Sequence, residues 1–447
     1  IVLLGIQLAA CGPGALFEEP LCSPADPQCT PKDGEELGLP PSSDASQADG
    51  SLLCDGSTAP CDDTWCEHAS RGLVALGPGS LPAISEDGAS IAAYADEGLW
   101  WMKLGADERE LIVPREAGTG YFWLGLTSEQ LGMYEVTKDA ATGSERFSFA
   151  WLDLASKDLH RLDLERWVEP RFSFSADLGG VAYVMKDTSL TPPRSRVFVY
   201  ERGKEELSRL PLEELGLQGY VLKGWSGLSG NGRYLAFSGV EQESAEEQTD
   251  EHDFNDIYLF DRDTAQLSRL GTGDYAALSD DAGIVVLWNS DAHTEREQLR
   301  ILDRDAGTLM DLCELPEDLP CICSLSGTDL STAAIPAECR EDACPSLTLQ
   351  AECSMPQVSS DGRHVAFELA LHGGSRDASS WRYALAVYDV ASGRSALIEA
   401  TKSMRGTSSD WQLSRDGRFL VFTSSSPTLG VQDGVPNVFL APLPCFD

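Results

Sequence analysis

The densest concentration of chemistry-bearing side chains runs from Glu241 to Asp256, where EQESAEEQTDEHDFND holds eight acidic residues and no Lys or Arg. Asp250, Asp253, Asn255 and Asp256 set four hard oxygen donors close together, the donor type that Ca²⁺ takes. Their order follows no EF-hand loop, and a run of like charge also serves as a plain solvated face, so a calcium site and an acidic loop are the two readings. The second reactive set is cysteine, of which the chain has 13. Six of them, Cys313, Cys321, Cys323, Cys339, Cys344 and Cys353, fall in one stretch, with C-x-C and C-x₄-C spacings rather than the C-x₂-C of zinc knuckles. Disulfides are the expected state there, with zinc as the alternative. Catalytic patterns are missing: there is no G-x-S-x-G elbow, no H-E-x-x-H and no glycine-rich phosphate loop. His68, His160, His252, His293, His364 and His372 are scattered without ligand spacing.

Composition bounds the partners. In 447 residues, 33 Lys plus Arg stand against 72 Asp plus Glu, a formal charge of -39. Such a surface repels phosphate backbones and anionic headgroups, which argues against nucleic acid. The hydrophobic fraction of 42%, with 24 prolines and 41 glycines, suits a large, turn-rich β fold.

The chain opens on a short apolar run, Ile1 to Leu8, too short to span a bilayer, followed by Leu8-Ala9-Ala10-Cys11-Gly12. This resembles the lipobox of bacterial lipoproteins, with residues 1–10 as a truncated signal peptide. The resemblance implies acylation of Cys11 and anchorage in the outer membrane, since Gly12 rather than Asp follows the cysteine. A buried strand ending in an ordinary cysteine is the alternative. Setting Cys11 aside leaves an even number of cysteines, and Cys22, Cys29, Cys54, Cys61, Cys66 and Cys445 join the six above as disulfide candidates. Residues 11–70 are rich in Pro, Gly, Ser, Asp and Glu without hydrophobic period, and read as a disordered tether.

From about residue 71 to 447 the pattern repeats. Ser85-Glu86-Asp87-Gly88, Ser229-Gly230-Asn231-Gly232, Ser359-Ser360-Asp361-Gly362 and Ser414-Arg415-Asp416-Gly417 each mark a tight turn. Ser175-Ala176-Asp177-Leu178-Gly179 and Ser279-Asp280-Asp281-Ala282-Gly283 read as relaxed copies with one extra residue, and a unit at Phe122 to Leu162 lacks the turn. An apolar strand follows each turn and a second follows after a variable gap, which at a period of about 40 to 55 residues is the signature of propeller blades. The openings at Pro82 to Gly88 and Pro356 to Gly362, with hairpins at Asp303 to Gly307 and Asp389 to Gly393, resemble the TolB-like, WD-like propeller repeat over about residues 72 to 443.

The expected fold is therefore all-β: one propeller of seven four-stranded antiparallel blades. The cysteine-rich segment 313–353 is either a knotted insertion or a degenerate eighth blade. Arg71 to Leu76 is expected to supply the outer strand of the last blade and close the ring. The long insertions at Lys138 to Glu145, Lys186 to Ser195, Glu241 to Asn255, Asn289 to Glu297, His372 to Trp381 and Ser424 to Pro436 are expected on one face. Trp123, Phe172, Trp225, Tyr275 and Trp411 lie near the innermost strands, to line the channel or to pack between blades. The functional expectation is a monomeric envelope lipoprotein binding a protein or glycan through its long-loop face, with no cofactor other than the calcium considered above. The competing readings are a polysaccharide lyase or hydrolase working in the channel and a purely structural envelope component.

Overall fold

The computed structural model describes residues 73–443 apart from 107, 140, 165–171, 188–193, 205, 213, 218–219, 223–226, 242–254, 292–295, 313–349, 373–381, 402–410, 425–428 and 430–434. The expected signal peptide and tether, and all but the end of the cysteine-rich segment, lie outside the described residues.

Every regular element described is a β-strand, and the strands form seven antiparallel sheets, one per blade. Blades 1 to 3 occupy Ser80–Pro114, Thr119–Leu164 and Phe172–Arg209, and blades 4 to 6 occupy Tyr220–Thr272, Tyr275–Asp311 and Gln350–Thr401. Blade 7 takes Trp411–Leu413, Phe419–Ser424 and Asn437–Pro442 from the C-terminal end of the chain. Its outer strand is Val74–Pro78, which runs antiparallel to Asn437–Pro442 with Val74 opposite Leu440, so the expected closure is present. In blade 4 the inner edge is built from two pieces, Tyr220–Leu222 and Gly227–Leu228, both paired with Tyr234–Glu241.

The middle strands of each blade carry apolar residues on both faces because a blade is covered on both sides by its neighbours, unlike a sheet with one wet face. Ala92, Leu99, Leu131, Met133 and Ala150 pack in the layer between blades 1 and 2, and Leu420, Phe422, Leu385 and Val387 pack in that between blades 6 and 7. Burial of this kind supplies most of the folding energy, at roughly 25 cal/mol per Å² of apolar surface.

The repeated turn shows why its residues recur. Ser414 is fully buried; its Oγ donates to Asp416 Oδ1 (2.6 Å) and accepts from the amide of Phe419 (2.9 Å). The same pair of bonds recurs at Ser85, Ser175, Ser229, Ser279 and Ser359. In each case the serine reaches the amide five residues ahead, so the turns at Ser175 and Ser279 carry no extra residue, contrary to the sequence reading. Leu178 (φ 53°) and Ala282 (φ 53°) stand where the other turns have glycine. Blade 2 replaces the serine with Thr127, whose Oγ1 accepts from the amides of Glu129 and Gln130.

Candidate functional site in the axial cavity

A cavity of about 230 Å³ is lined by residues of the innermost strands: Pro82 from blade 1, Leu124 and Gly125 from blade 2, Phe172 to Phe174 from blade 3 and Tyr275 from blade 5. Met355, Pro356 and Gln357 of blade 6 and Trp411 and Gln412 of blade 7 complete that layer, and Trp288 reaches it from the second strand of blade 5. Six blades share one lining only on the propeller axis, so this is the central channel. Apart from Trp288, the lining residues sit one to four positions before the turn serines or, in blade 2, before Thr127.

Three features fix the lining. Phe172 is packed against Tyr134 (5.3 Å) and Phe149 (5.0 Å) at the boundary of blades 2 and 3, and Phe174 stands edge-on to Trp151 (6.3 Å). Tyr275 lies directly across from Trp288 in the antiparallel pair, and burial pushes its phenol up to about 12. The two glutamines staple blades: Gln357 donates to the carbonyl of Trp411 (3.2 Å) and accepts from the amide of Leu413 (2.9 Å), while Gln412 Oε1 accepts from the amide of Ile84 (2.8 Å). Each glutamine thereby satisfies a backbone group that faces the neighbouring blade.

The turn end of the channel is occupied. Backbone bonds join the second residues of successive turns: Ala176 N to Gly230 O (2.9 Å), Asp280 N to Ser360 O (3.0 Å) and Ser360 N to Arg415 O (2.7 Å). Asp416 N to Glu86 O (3.1 Å) carries the series on to blade 1. Arg415 extends from blade 7 to an ion pair with Asp280 of blade 5. A Cβ on Gly230 would meet that guanidinium and the Asp280 carboxylate, so a larger residue there would displace the pair. Burial lowers the Arg415 pKa from its ordinary value, and Glu86 and Asp177 act in the opposite direction.

The sequence candidates divide. Of the aromatics, Phe172, Tyr275 and Trp411 line the channel as well as packing between blades; Trp411 is 2% exposed and forms wall rather than open face. Trp123 lies in the strand Thr119–Leu126, and Trp225 is outside the described residues. Of the calcium quartet, Asp250 and Asp253 lie outside the described residues. Asn255 Nδ2 donates to Asp274 Oδ1 (2.5 Å), and Asp256 Oδ1 accepts from Arg269 (2.6 Å). The amide of Gly273 also donates to Asn255 O (2.8 Å), so the end of the acidic insertion is tied to the segment that leads into Tyr275. Among the described residues no group of three or more His, Cys, Asp or Glu is placed to hold a metal ion. Cys353 is fully buried among Val365, Phe367 and Leu369, while Cys11 and the other candidate cysteines lie outside the described residues. Among the long insertions, only Lys138 to Glu145 is described nearly throughout. Its Asp139 Oδ1 accepts from the amides of Ala141 and Thr142 (2.9 and 2.8 Å), which curls the loop on itself. The sequence reading missed Trp288, Met355 and the two glutamines; their only signal was position, two to four residues before a turn serine or across from one that is.

A His and Asp do meet, but in the blade wall. His364 Nε2 lies 3.4 Å from Asp389 Oδ2, which also accepts from Arg363 Nε (2.8 Å), and Asp389 is fully buried. Arg233 and Asp261 make the corresponding pair in blade 4 (2.6 Å). These pairs tie the first turn to the hairpin between third and fourth strands, which places both on one face of the ring as the sequence reading expected.

No protein-family model and no curated protein matches the chain. Among solved structures, it is similar to an oligogalacturonate lyase in complex with manganese, at 13% identity and TM-score 0.50 over 82% of this chain and 90% of that one. TolB from Acinetobacter baumannii aligns at 14% identity and TM-score 0.41 over 79% of this chain and 76% of that one. The likeness to the lyase is one of fold alone.

Proposed function

We propose that the chain is an envelope lipoprotein, anchored through Cys11, whose propeller binds a partner, protein or glycan, by admitting part of it to the axial cavity and holding the rest on the long-loop face. The observation that carries this reading is the makeup of the cavity. Its described lining offers aromatic, thioether, hydroxyl and amide groups, and no carboxylate or imidazole, the commonest groups of general acid–base chemistry. The tie from Asn255 to Asp274 supports a joint role for loop face and cavity, because the acidic insertion ends beside the strand that carries Tyr275.

The test is capture from envelope extract on the immobilised full chain, with Ca²⁺ and with chelator. Retention of a partner by the wild type, and its loss when residues 242–254 are replaced by a short Gly-Ser turn, is the expected result. Equal capture by both would remove the loop face from the reading. Loss with chelator would bring calcium into it, through Asp250, Asp253, Asn255 and Asp256. Turnover of an envelope polysaccharide by the purified chain would replace binding with the lyase or hydrolase reading.

A further inference from the structure

We propose that the axial cavity is a cage for a methylated ammonium group, carried on a methylated lysine side chain of a partner protein or on a small quaternary amine. The inference rests on the binding reading above and supplies its ligand chemistry. Phe172, Phe174, Tyr275 and Trp288 all reach the cavity lining and are only partly buried. Aromatic faces carry negative quadrupoles, and several around one desolvated site attract a cation more strongly than any neutral group of the same shape.

The polar inventory decides between a cation and a sugar. Both ends of the Gln357 amide and the oxygen of Gln412 are already spent on neighbouring blades. The indole Nε1 groups of Trp288 and Trp411 are buried without a partner, but they are donors only. A sugar ring entering here would bury several hydroxyl hydrogens that these groups cannot accept, and each one left unpaired is costly. A methylated ammonium has no such groups to satisfy.

Charge points the same way. No Lys, Arg or His is among the described lining residues, and the guanidinium on the axis, Arg415, is neutralised by Asp280 at the turn end. The chain as a whole carries -39, and a recess in a molecule of one sign concentrates its potential. Asn255, the next-to-last residue of the acidic stretch, is fixed beside the segment entering Tyr275. A partner's methylated lysine would therefore approach through a field that attracts it.

The test is calorimetric titration of the full chain with choline and with its uncharged isostere, 3,3-dimethylbutan-1-ol. Choline is expected to bind about tenfold or more tightly than the isostere, with the margin shrinking as salt is raised. Trp288→Leu and Phe174→Leu are each expected to weaken choline about fivefold while leaving the isostere unchanged, with thermal unfolding used to confirm that each variant is folded. Tyr275→Phe, which keeps the ring, is expected to retain binding. Peptides carrying trimethyllysine, lysine or acetyllysine distinguish the sources: preference for the trimethyllysine peptide over choline assigns the site to a protein partner, and the reverse assigns it to a small amine. Preference for the lysine or acetyllysine peptide over the trimethyllysine one overturns the proposal. Equal affinity for choline and its isostere, or binding of neither by the wild type, overturns the proposal. If that happens while the envelope partner is still captured, the binding reading stands and only the ammonium cage is lost.

Discussion

Two residues of the turn show how much a single side chain carries. Ser414 is fully buried and answers both an aspartate oxygen and the Phe419 amide. Ser414→Ala leaves that amide buried without an acceptor, and is expected to cost about 1–3 kcal/mol, read as a lower urea midpoint with unchanged slope. His364 is the titrating counterpart. Burial pushes its imidazole below the ordinary range; Asp389 pulls it upward and Arg363 adds to the lowering. The unfolded chain therefore takes up the proton more readily than the folded one. The stability this neutral histidine contributes is present above the ordinary imidazole pKa of about 6.5 and is lost as pH falls below it. His364→Phe puts there the residue that blade 7 has in the same place, Phe419, and is expected to flatten stability against pH between about 7 and 5. Unfolding midpoints across that range check it, and an unchanged slope would contradict it.

At the scale of the element, the turn of one blade fits against the second strand of the blade before it. A Cβ on Gly88 would come 2.5 Å from Phe419, one on Gly417 2.5 Å from His364, and one on Gly362 2.6 Å from Ile284. Each contact falls on the first residue of a second strand. These glycines also sit at φ of 68° to 73°, so the backbone and the neighbour make the same demand. Blade 3 inverts the arrangement: Leu178 occupies the turn, and glycines at 125 and 132 in blade 2 make room for it, at 2.8 and 3.1 Å from their would-be Cβ atoms. Gly362→Ala is therefore expected to destabilise by about 1–3 kcal/mol. Leu178→Gly is expected to destabilise by about as much, because the void it leaves outweighs the relief of a strained φ. Chemical denaturation of both variants checks the pair; a stabilised Leu178→Gly would show that backbone strain dominates.

For the whole molecule, closure is the controlling feature. Val74–Pro78 covers the strand Asn437–Pro442, joining the described N-terminal end of the ring to its C-terminal end. Removing residues up to Gly79 would expose the backbone of that strand, and a free strand edge pairs with other chains. The truncated chain is expected to unfold at lower temperature and to scatter light on heating, whereas the full chain stays dispersed. Differential scanning calorimetry with light scattering distinguishes them. Around the ring, the blade-to-blade bonds of the turn residues and the Arg415–Asp280 pair add cross-ties that no single blade holds by itself.

The sequence by itself pointed to seven blades, with segment 313–353 left as an insertion or an eighth, and to the strand order and the closing strand. These follow from local patterning: alternating apolar runs, a serine and an acid or amide at fixed spacing, and a leftover strand at the start. It misjudged the turns at Ser175 and Ser279, since a missing glycine reads as an insertion until Leu178 is seen packed on glycines from another blade. The axial cavity was legible only in fragments. Phe172, Tyr275 and Trp411 stood out as aromatics, but Trp288, Met355, Gln357 and Gln412 become neighbours only when blades far apart in sequence meet on one axis. That convergence is a property of ring closure, which sets distances between residues hundreds of positions apart that no local spacing encodes. The tertiary structure alone decided that the cavity is walled by aromatics, that Gln357 and the oxygen of Gln412 are spent on neighbouring blades, and that an arginine and an aspartate meet at its turn end.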